Sequence, residues 1–288
     1  MQNVTIGNIT DVVIGSLGRH KPITTRQKEI MIGLIKHMHD FCREVKLQHS
    51  EFIEACMYLM RAGRMCDDKR QEFILLGDIL GIEVLADMLT NPIRGGESES
   101  TVLGPFYREN PPALPKGAST VQKHFGGEET VYVEGYVRDT AGNPIQGVTI
   151  DVWEDAPNGL YEQQDPDQPD YNLRGRFETD ESGHYAFGAI RPVAYPIPYD
   201  GTAGELLDFM GHHPMRPGHL HYKLFKDGYR TLVSQIYDAD SEYLENDSVF
   251  AVKESLVGRF DKAPEGAQTD LVLRFDFVLP PAESAIAA

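Results

Sequence analysis

His219 and His221 stand two residues apart in the run Met215-Arg216-Pro217-Gly218-His219-Leu220-His221-Tyr222, inside a segment of alternating, strand-like character. Neighbours at that spacing point the same way from one strand, so both imidazoles can reach a single object, most simply a metal ion. Upstream, Tyr161 lies in Asn158-Gly159-Leu160-Tyr161-Glu162, and Tyr195 in Val193-Ala194-Tyr195-Pro196-Ile197-Pro198, both turn-rich. A tyrosine hydroxyl titrates near ~10 in water, so it becomes a ligand at neutral pH only beside a strongly Lewis-acidic ion. Zinc sites lean on Cys, His and carboxylate, and calcium or magnesium on oxygen ligands without imidazole. Ferric iron suits two phenols and two imidazoles best, and the centre expected is a non-haem Fe(III).

Taken singly, each residue has a plainer reading. Tyr161 or Tyr195 alone is a loop aromatic packed on a sheet rim with a hydrogen-bonded hydroxyl. A lone His219 is a satisfied strand histidine, and only the complete set in its order points to iron. His212-His213 is a competing pair, but adjacent residues on an extended chain face opposite ways, and it reads as a loop feature. His20, His37, His39, His49, His124 and His184 are scattered.

The elements that must hold these residues follow from periodicity. Val131, Val133, Gly135 and Val137 alternate as a strand ended by Asp139-Thr140-Ala141-Gly142-Asn143-Pro144, and Val148 to Trp153 returns with Ile150 and Val152 on one face. Further strands are expected over 177–179, 185–190, 219–225, 231–237 and 271–279, so an antiparallel sandwich is predicted. The excursions 155–176 and 192–217 exceed ordinary loop length and hold both tyrosines, which marks them as functional. In the N-terminal region Met31, Leu34, Ile35, Met38, Phe41 and Val45 define one helix from Thr24 or Thr25. A second helix is expected from Ser50 as N-cap to Gly63, and a third from Asp67 or Asp68 to Thr90, stopped by Asn91-Pro92. The third is apolar around its axis, as a helix buried on two sides would be. Residues up to His20 lack periodicity and read as an arm, and Arg94-Gly95-Gly96-Glu97-Ser98-Glu99-Ser100 as a connector.

The order Tyr161, Tyr195, His219-Leu220-His221, with Arg216 before the histidines and Gln235 after them, resembles the intradiol ring-cleaving dioxygenases. Leu103-Gly104-Pro105-Phe106-Tyr107 and the stretch from Gly135 to Trp153 match as well, so the likeness covers nearly the whole chain. It implies one non-haem Fe(III) per subunit held by Tyr161, Tyr195, His219 and His221, and no external reductant. Tyr195 would leave the metal to take a substrate proton, Arg216 would supply fixed positive charge near the ring, and Gln235 would hydrogen-bond beside the iron-facing pocket. Arg216 read without the likeness is an ion-pair partner. The resemblance also implies mixed α and β architecture: an N-terminal helical dimerisation segment over residues 1–100 followed by an antiparallel β-sandwich catalytic domain over 101–288. In related enzymes the N-terminal helices join two subunits and can hold a lipid. A homodimer is therefore expected, against the plainer reading that these helices cover the chain's own sheet.

Thr101-Val102-Leu103-Gly104-Pro105-Phe106, Tyr195-Pro196-Ile197-Pro198-Tyr199-Asp200-Gly201 and Asp87 look more like the hydroxyquinol branch than simple catechol enzymes. A third ring hydroxyl needs a hydrogen-bond partner in an otherwise apolar pocket. Asp87 is the expected partner, with Val84, Val102, Leu103, Gly104, Ile197, Pro198 and Val249 around it; otherwise Asp87 is a solvated helix residue. The expected reaction opens benzene-1,2,4-triol between its adjacent hydroxyl-bearing carbons to 3-hydroxy-cis,cis-muconate, with catechol or a chlorocatechol as the alternative substrate.

Composition limits the partners. Lys and Arg number 27 against 44 Asp and Glu, a net charge of −17, with no dense basic stripe, which argues against nucleic acid or an anionic membrane. Cys42, Cys56 and Cys66 do not make a zinc spacing and read as thiols in a reducing cytosol. No targeting or spanning segment is evident, so the protein is expected in the cytoplasm. One reading of another class stays open. The Gly142-Asn143-Pro144-Ile145-Gln146-Gly147-Val148 turn resembles that of non-enzymatic prealbumin-like binding modules, in which the tyrosines would merely support loops.

Overall fold

A computed structural model describes residues 3–67 and 70–282. By its internal contacts the chain forms two compact units, Met1–Arg61 and Ala62–Ala288.

The first unit is helical. A short helix α1 (Ile9–Ile14) stands where an unstructured arm was expected. The Thr10 hydroxyl ties it to α2 (Thr25–Glu44) through His39 Nδ1, at 3.0 Å, and through Arg43. Thr24 caps α2 reciprocally: its hydroxyl accepts from the Gln27 N–H at 3.1 Å, and Gln27 Oε1 accepts from the Thr24 N–H at 2.8 Å. Such a cap contributes ~1 kcal/mol and fixes where the helix starts. Of its apolar stripe only Ile35 is buried, while Leu34, Met38 and Phe41 stay exposed. The next helix, α3 (His49–Met65), begins before Ser50, which therefore is not its cap. Glu51 does that work by accepting from the Gln48 N–H at 2.7 Å, and the helix runs on through Gly63.

The second unit opens with two helices in place of the single one expected, α4 (Glu72–Ile79) and α5 (Ile82–Thr90); the proposed start at Asp68 lies outside the described residues. Gly81 breaks the pattern by adopting φ +66°, a left-handed conformation that favours glycine. The all-round apolar character that suggested one long helix belongs to α4, which buries Leu75, Leu76 and Ile79 together with Glu72 and Asp78.

The rest runs β1 (Thr130–Asp139), β2 (Thr149–Trp153), β3 (Arg174–Glu178), β4 (His184–Ile190), β5 (Tyr195–Pro196), α6 (Thr202–Met210), β6 (Met215–Arg216), β7 (His219–Phe225), β8 (Leu232–Asp238), β9 (Val257–Gly258), β10 (Phe260–Lys262), β11 (Leu271–Arg274) and β12 (Phe277–Leu279). One five-stranded sheet has the order β10-β11-β1-β12 with β4 also on β1, and the other is β3-β2-β7-β8-β9. Neither is wholly antiparallel, contrary to expectation: β11 and β12 run parallel to β1, and β9 parallel to β8. The strand expected over 271–279 is interrupted because the Phe275 carbonyl presses on β1, where a Cβ at Gly135 would meet its oxygen at 1.7 Å. Only glycine admits that approach.

Side chains of both sheets share one core, with Val131, Val133 and Phe187 of the first meeting Ile150, Phe177 and Tyr222 of the second. Phe177 stacks on Phe187 at 5.1 Å between ring centres, and Tyr222 lies 5.0 Å from Phe277. Each such ring, fully buried, contributes about 1.5–3 kcal/mol. Leu220 and Tyr222 point into this core, which sends His219 and His221 to the opposite face of β7.

Candidate active site

Register assembles the site. Across β7 from His221 lie Trp153 of β2 and Gln235 of β8, and across from His219 lies Tyr237, so all five side chains share one face. The two-residue ribbon of β5 with β6 sets Tyr195 opposite Arg216. Tyr161 comes from the excursion between β2 and β3, which is ordered by its own polar network. Gln164 Oε1 accepts from the Tyr161 N–H at 3.0 Å, and buried Arg174 donates to Glu162 at 2.6 Å. The Phe106 ring stacks on Tyr161 at 4.5 Å, and Trp153 lies nearly parallel on His221 at 4.6 Å, which leaves little freedom to either donor.

Four atoms from three segments meet. Tyr161 Oη lies 2.9 Å from His221 Nε2 and 3.1 Å from Tyr195 Oη; His219 Nε2 lies 3.1 Å from His221 Nε2 and 3.4 Å from Tyr195 Oη. All four side chains are buried. His219 Nδ1 is 2.8 Å from the Pro217 carbonyl oxygen, which can only accept, so Nδ1 carries the proton and Nε2 turns its lone pair inward. Burial, then the Arg216 charge, lowers the His219 imidazole to about 3, and burial with His219 beside it holds His221 well below its ordinary range. Burial also pushes both phenols up: for Tyr161 the neighbouring Tyr195 adds to it, and for Tyr195 the Arg216 charge opposes it. Two neutral imidazoles and two reluctant phenols converging on one point fit a strongly Lewis-acidic cation, which alone would draw out the phenolate form. Among the described residues, no three His, Cys, Asp or Glu side chains gather as a metal site elsewhere.

Arg216 is buried beside this cluster. Its NH1 lies 3.2 Å from His219 Nε2, while Nε and NH2 donate to the two oxygens of Asp247 at 3.0 and 3.1 Å. NH2 also reaches Gln235 Oε1 at 2.9 Å and Tyr237 Oη at 3.2 Å. Burial works against the guanidinium charge, yet Asp247 holds it well above its ordinary value. Gln235 in turn donates to the Val102 carbonyl at 2.8 Å, so it joins Arg216 to the cavity wall.

A narrow cavity of about 20 Å³, room for one water, borders Tyr195, Arg216 and His221. Val102, Gly104, Ile197, Pro198 and Val249 line it, with Leu75, Asp78, Pro105 and Phe106 completing the wall. Pro105, Phe106, Tyr195, Ile197 and Pro198 also border a wider cleft of about 990 Å³. Three expected wall residues are placed elsewhere. Val84 belongs to the buried apolar cluster that includes Leu75 and Val102 without lining the cavity, and Leu103 joins the Trp153 and Tyr161 cluster. The Asp87 carboxylate is taken up by Asn91 and Ser100, both at 2.8 Å, with Lys253 at 3.6 Å. The acid in the wall is Asp78, buried, with Oδ1 lacking any hydrogen-bond partner among the described residues. Burial, with Glu83 hydrogen-bonded alongside, raises its carboxyl far above the ordinary range, which favours its protonated form. Asp78, Tyr237 and Asp247 carry no motif, and only the three-dimensional arrangement singles them out.

Comparison with known proteins agrees with this geometry. Residues 24–97 match the family model described as catechol dioxygenase N terminus, and residues 102–281 the model described as dioxygenase. The chain is 43% identical to the catechol 1,2-dioxygenase of Candida albicans, over 94% of this chain and 89% of that protein. It is 44% identical to the hydroxyquinol 1,2-dioxygenase of a Rhizobium species, over 87% of this chain and 84% of that protein. The crystal structure of hydroxyquinol 1,2-dioxygenase from Pseudomonas putida superposes with a TM-score of 0.90 at 37% identity, covering 96% of this chain and 99% of that one. These matches set aside the non-enzymatic binding module. The chain is an enzyme that belongs to the intradiol ring-cleavage dioxygenases, in their catechol and hydroxyquinol branch.

Proposed function

We propose that the protein opens benzene-1,2,4-triol between its adjacent hydroxyl-bearing carbons to give 3-hydroxy-cis,cis-muconate. The donors Tyr161, Tyr195, His219 and His221 would hold one non-haem Fe(III). That ion would supply the Lewis acidity that makes the phenolate and the deprotonated diol available and the ring reactive towards dioxygen. Both oxygen atoms enter the product, so no external reductant is consumed.

The chain's own groups do the rest. Tyr195 Oη, as a phenolate, is the base that takes a substrate hydroxyl proton, and it borders both the inner cavity and the outer cleft. Arg216 turns NH1 towards the donor cluster, where its charge stabilises negative charge developing on a ring carbon. Phe106 and Trp153 shield the donors from water by stacking on Tyr161 and His221. Gln235 keeps Arg216 and the Val102 wall in fixed relation.

The observation that carries the choice of triol is Asp78, a buried acid beside Leu75, Val102, Ile197 and Val249 in the cavity wall, with an unpaired oxygen for a third ring hydroxyl. Catechol is the second reading, favoured by the Candida albicans relative, which is as similar as the hydroxyquinol ones. Oxygen-uptake assays of the iron-loaded protein with both diols decide between them. A higher kcat/KM for the triol supports the proposal, and a preference for catechol overturns it.

Two architectural readings belong to the same proposal. The shared core supports reading the two sheets as a β-sandwich, and the exposed Leu34, Met38, Phe41, Phe52 and Met57 on α2 and α3 favour a homodimer through the N-terminal helices. Light scattering tests the second point, and a monomeric mass at micromolar concentration would refute it.

A further inference from the structure

We propose that Asp247 is the positioning residue that aims Arg216 at the reacting ring; the inference rests on the ring-opening reading above. A guanidinium has five N–H groups in a rigid plane, so fixing one edge fixes the direction of the other. Here the Nε and NH2 edge is held by Asp247, Gln235 and Tyr237, while NH1 lies 3.2 Å from His219 Nε2, and the Arg216 side chain, which borders the cavity, also hydrogen-bonds with Tyr195. Gln235 and Tyr237 share the single NH2 nitrogen, and Tyr237 Oη itself donates to Gln235 Oε1 at 2.6 Å. Asp247 is the only one of the three that grips two nitrogens, which is the contact that sets the plane.

Asp247 has no capacity left to act on substrate directly. Besides Arg216, its Oδ1 receives the Val249 N–H at 3.4 Å and its Oδ2 the Ala251 N–H at 3.0 Å, so both oxygens are shared between the guanidinium and the loop. Burial pushes its carboxyl up, but the Arg216 charge holds it below the ordinary range, and it remains the counter-ion throughout. Val249 lines the cavity, so the one carboxylate fixes both the charge and the wall beside it. An asparagine at 247 cannot reproduce this, because its amide nitrogen would turn a donor towards either the guanidinium or a loop N–H.

The test is a double-mutant cycle on the full-length, iron-loaded protein with the preferred diol: Asp247→Asn, Arg216→Ala and both together. Asp247→Asn is expected to keep wild-type iron content and visible absorption, to lower kcat roughly tenfold or more, and to leave KM within about threefold. On the Arg216→Ala background the same change should alter kcat by less than about twofold, because Asp247 acts only through Arg216. Independent, multiplying effects, or a wild-type kcat in Asp247→Asn, overturn the proposal. Should Asp247→Asn fail to fold or to hold iron, Asp247→Glu decides. It keeps the charge but shifts the grip by one methylene, and is expected to bind iron with a lowered kcat; a wild-type kcat overturns the proposal. A wild-type protein that takes up oxygen while the cycle is additive removes this inference alone, and a wild type inert with every diol removes the ring-opening reading with it.

Discussion

The surroundings of His221 and the outer faces of α2 and α3 are opposites. In the first, imidazoles, phenols, a guanidinium and a carboxylate are buried together and hydrogen-bond to one another, although His221 Nδ1 has no partner among the described residues; in the second, leucine, methionine and phenylalanine side chains stand in solvent. The contrast shows where this chain is complete. A buried polar group is costly unless its partners come with it, and around Arg216 they do: Asp247, Gln235 and Tyr237 all bond the guanidinium, while Asp78 keeps one oxygen unpaired. Exposed apolar faces of this extent have no such internal answer, which is why a second copy is the proposed cover.

The largest expected effect breaks the polar side. Tyr161→Phe or His221→Ala should abolish iron retention and the visible absorption of the loaded protein, with oxygen uptake falling on the order of a thousandfold. Metal analysis and spectroscopy check this, and full iron occupancy in either variant would exclude the proposed ligand set. Next in size, Arg216→Ala should keep its iron and lose about a hundredfold in kcat, the scale of removing one preorganised charge. Asp78→Ala should lower the ratio of kcat/KM for the triol over catechol by about tenfold, roughly one unmade hydrogen bond.

Asp78 also sharpens the comparison through pH. Its carboxyl is held protonated in the folded state and ionises in the ordinary range when unfolded, so the folded form binds more protons between the two values. Stability contributed this way is present in acid and lost as pH rises through neutrality, by at most about 1.4 kcal/mol per pH unit. Asp78→Asn has no such proton to lose. Its melting temperature relative to wild type should climb between about pH 5 and 8, and a constant difference would show that Asp78 is ionised in the folded protein. The smallest expected effect on turnover lies on the apolar side: Leu34→Glu with Phe41→Glu should halve the mass seen by light scattering and change kcat per iron by less than about twofold.

How much of this was legible follows from the kind of signal each residue leaves. His219 and His221 could be paired from strand alternation alone, because Leu220 and Tyr222 supply the apolar half of the pattern. Tyr161 and Tyr195 sit in excursions without any period, and only their order relative to the histidines marked them. Asp78 lies in an apolar run that also conceals the left-handed turn at Gly81, and the pattern there points to Asp87 as the wall acid instead. The parallel pairings of β9, β11 and β12 depend on contacts between distant segments, and nothing local in 257–279 announces them. Asp247 lies in a turn-rich stretch where one more acid attracts no notice.

The single-water gap at the donors bears on how a substrate arrives. A six-carbon ring does not fit in about 20 Å³, and Tyr195, Ile197 and Pro198 border both this gap and the cleft of about 990 Å³ from which a ring would enter. Admission requires Tyr195 or the Ile197-Pro198 shoulder to yield first, which makes the approach of the diol an activated step. Association should then be slower than simple encounter and steeply dependent on temperature, and a bulky ring substituent would be refused at the threshold before any bond is made or broken.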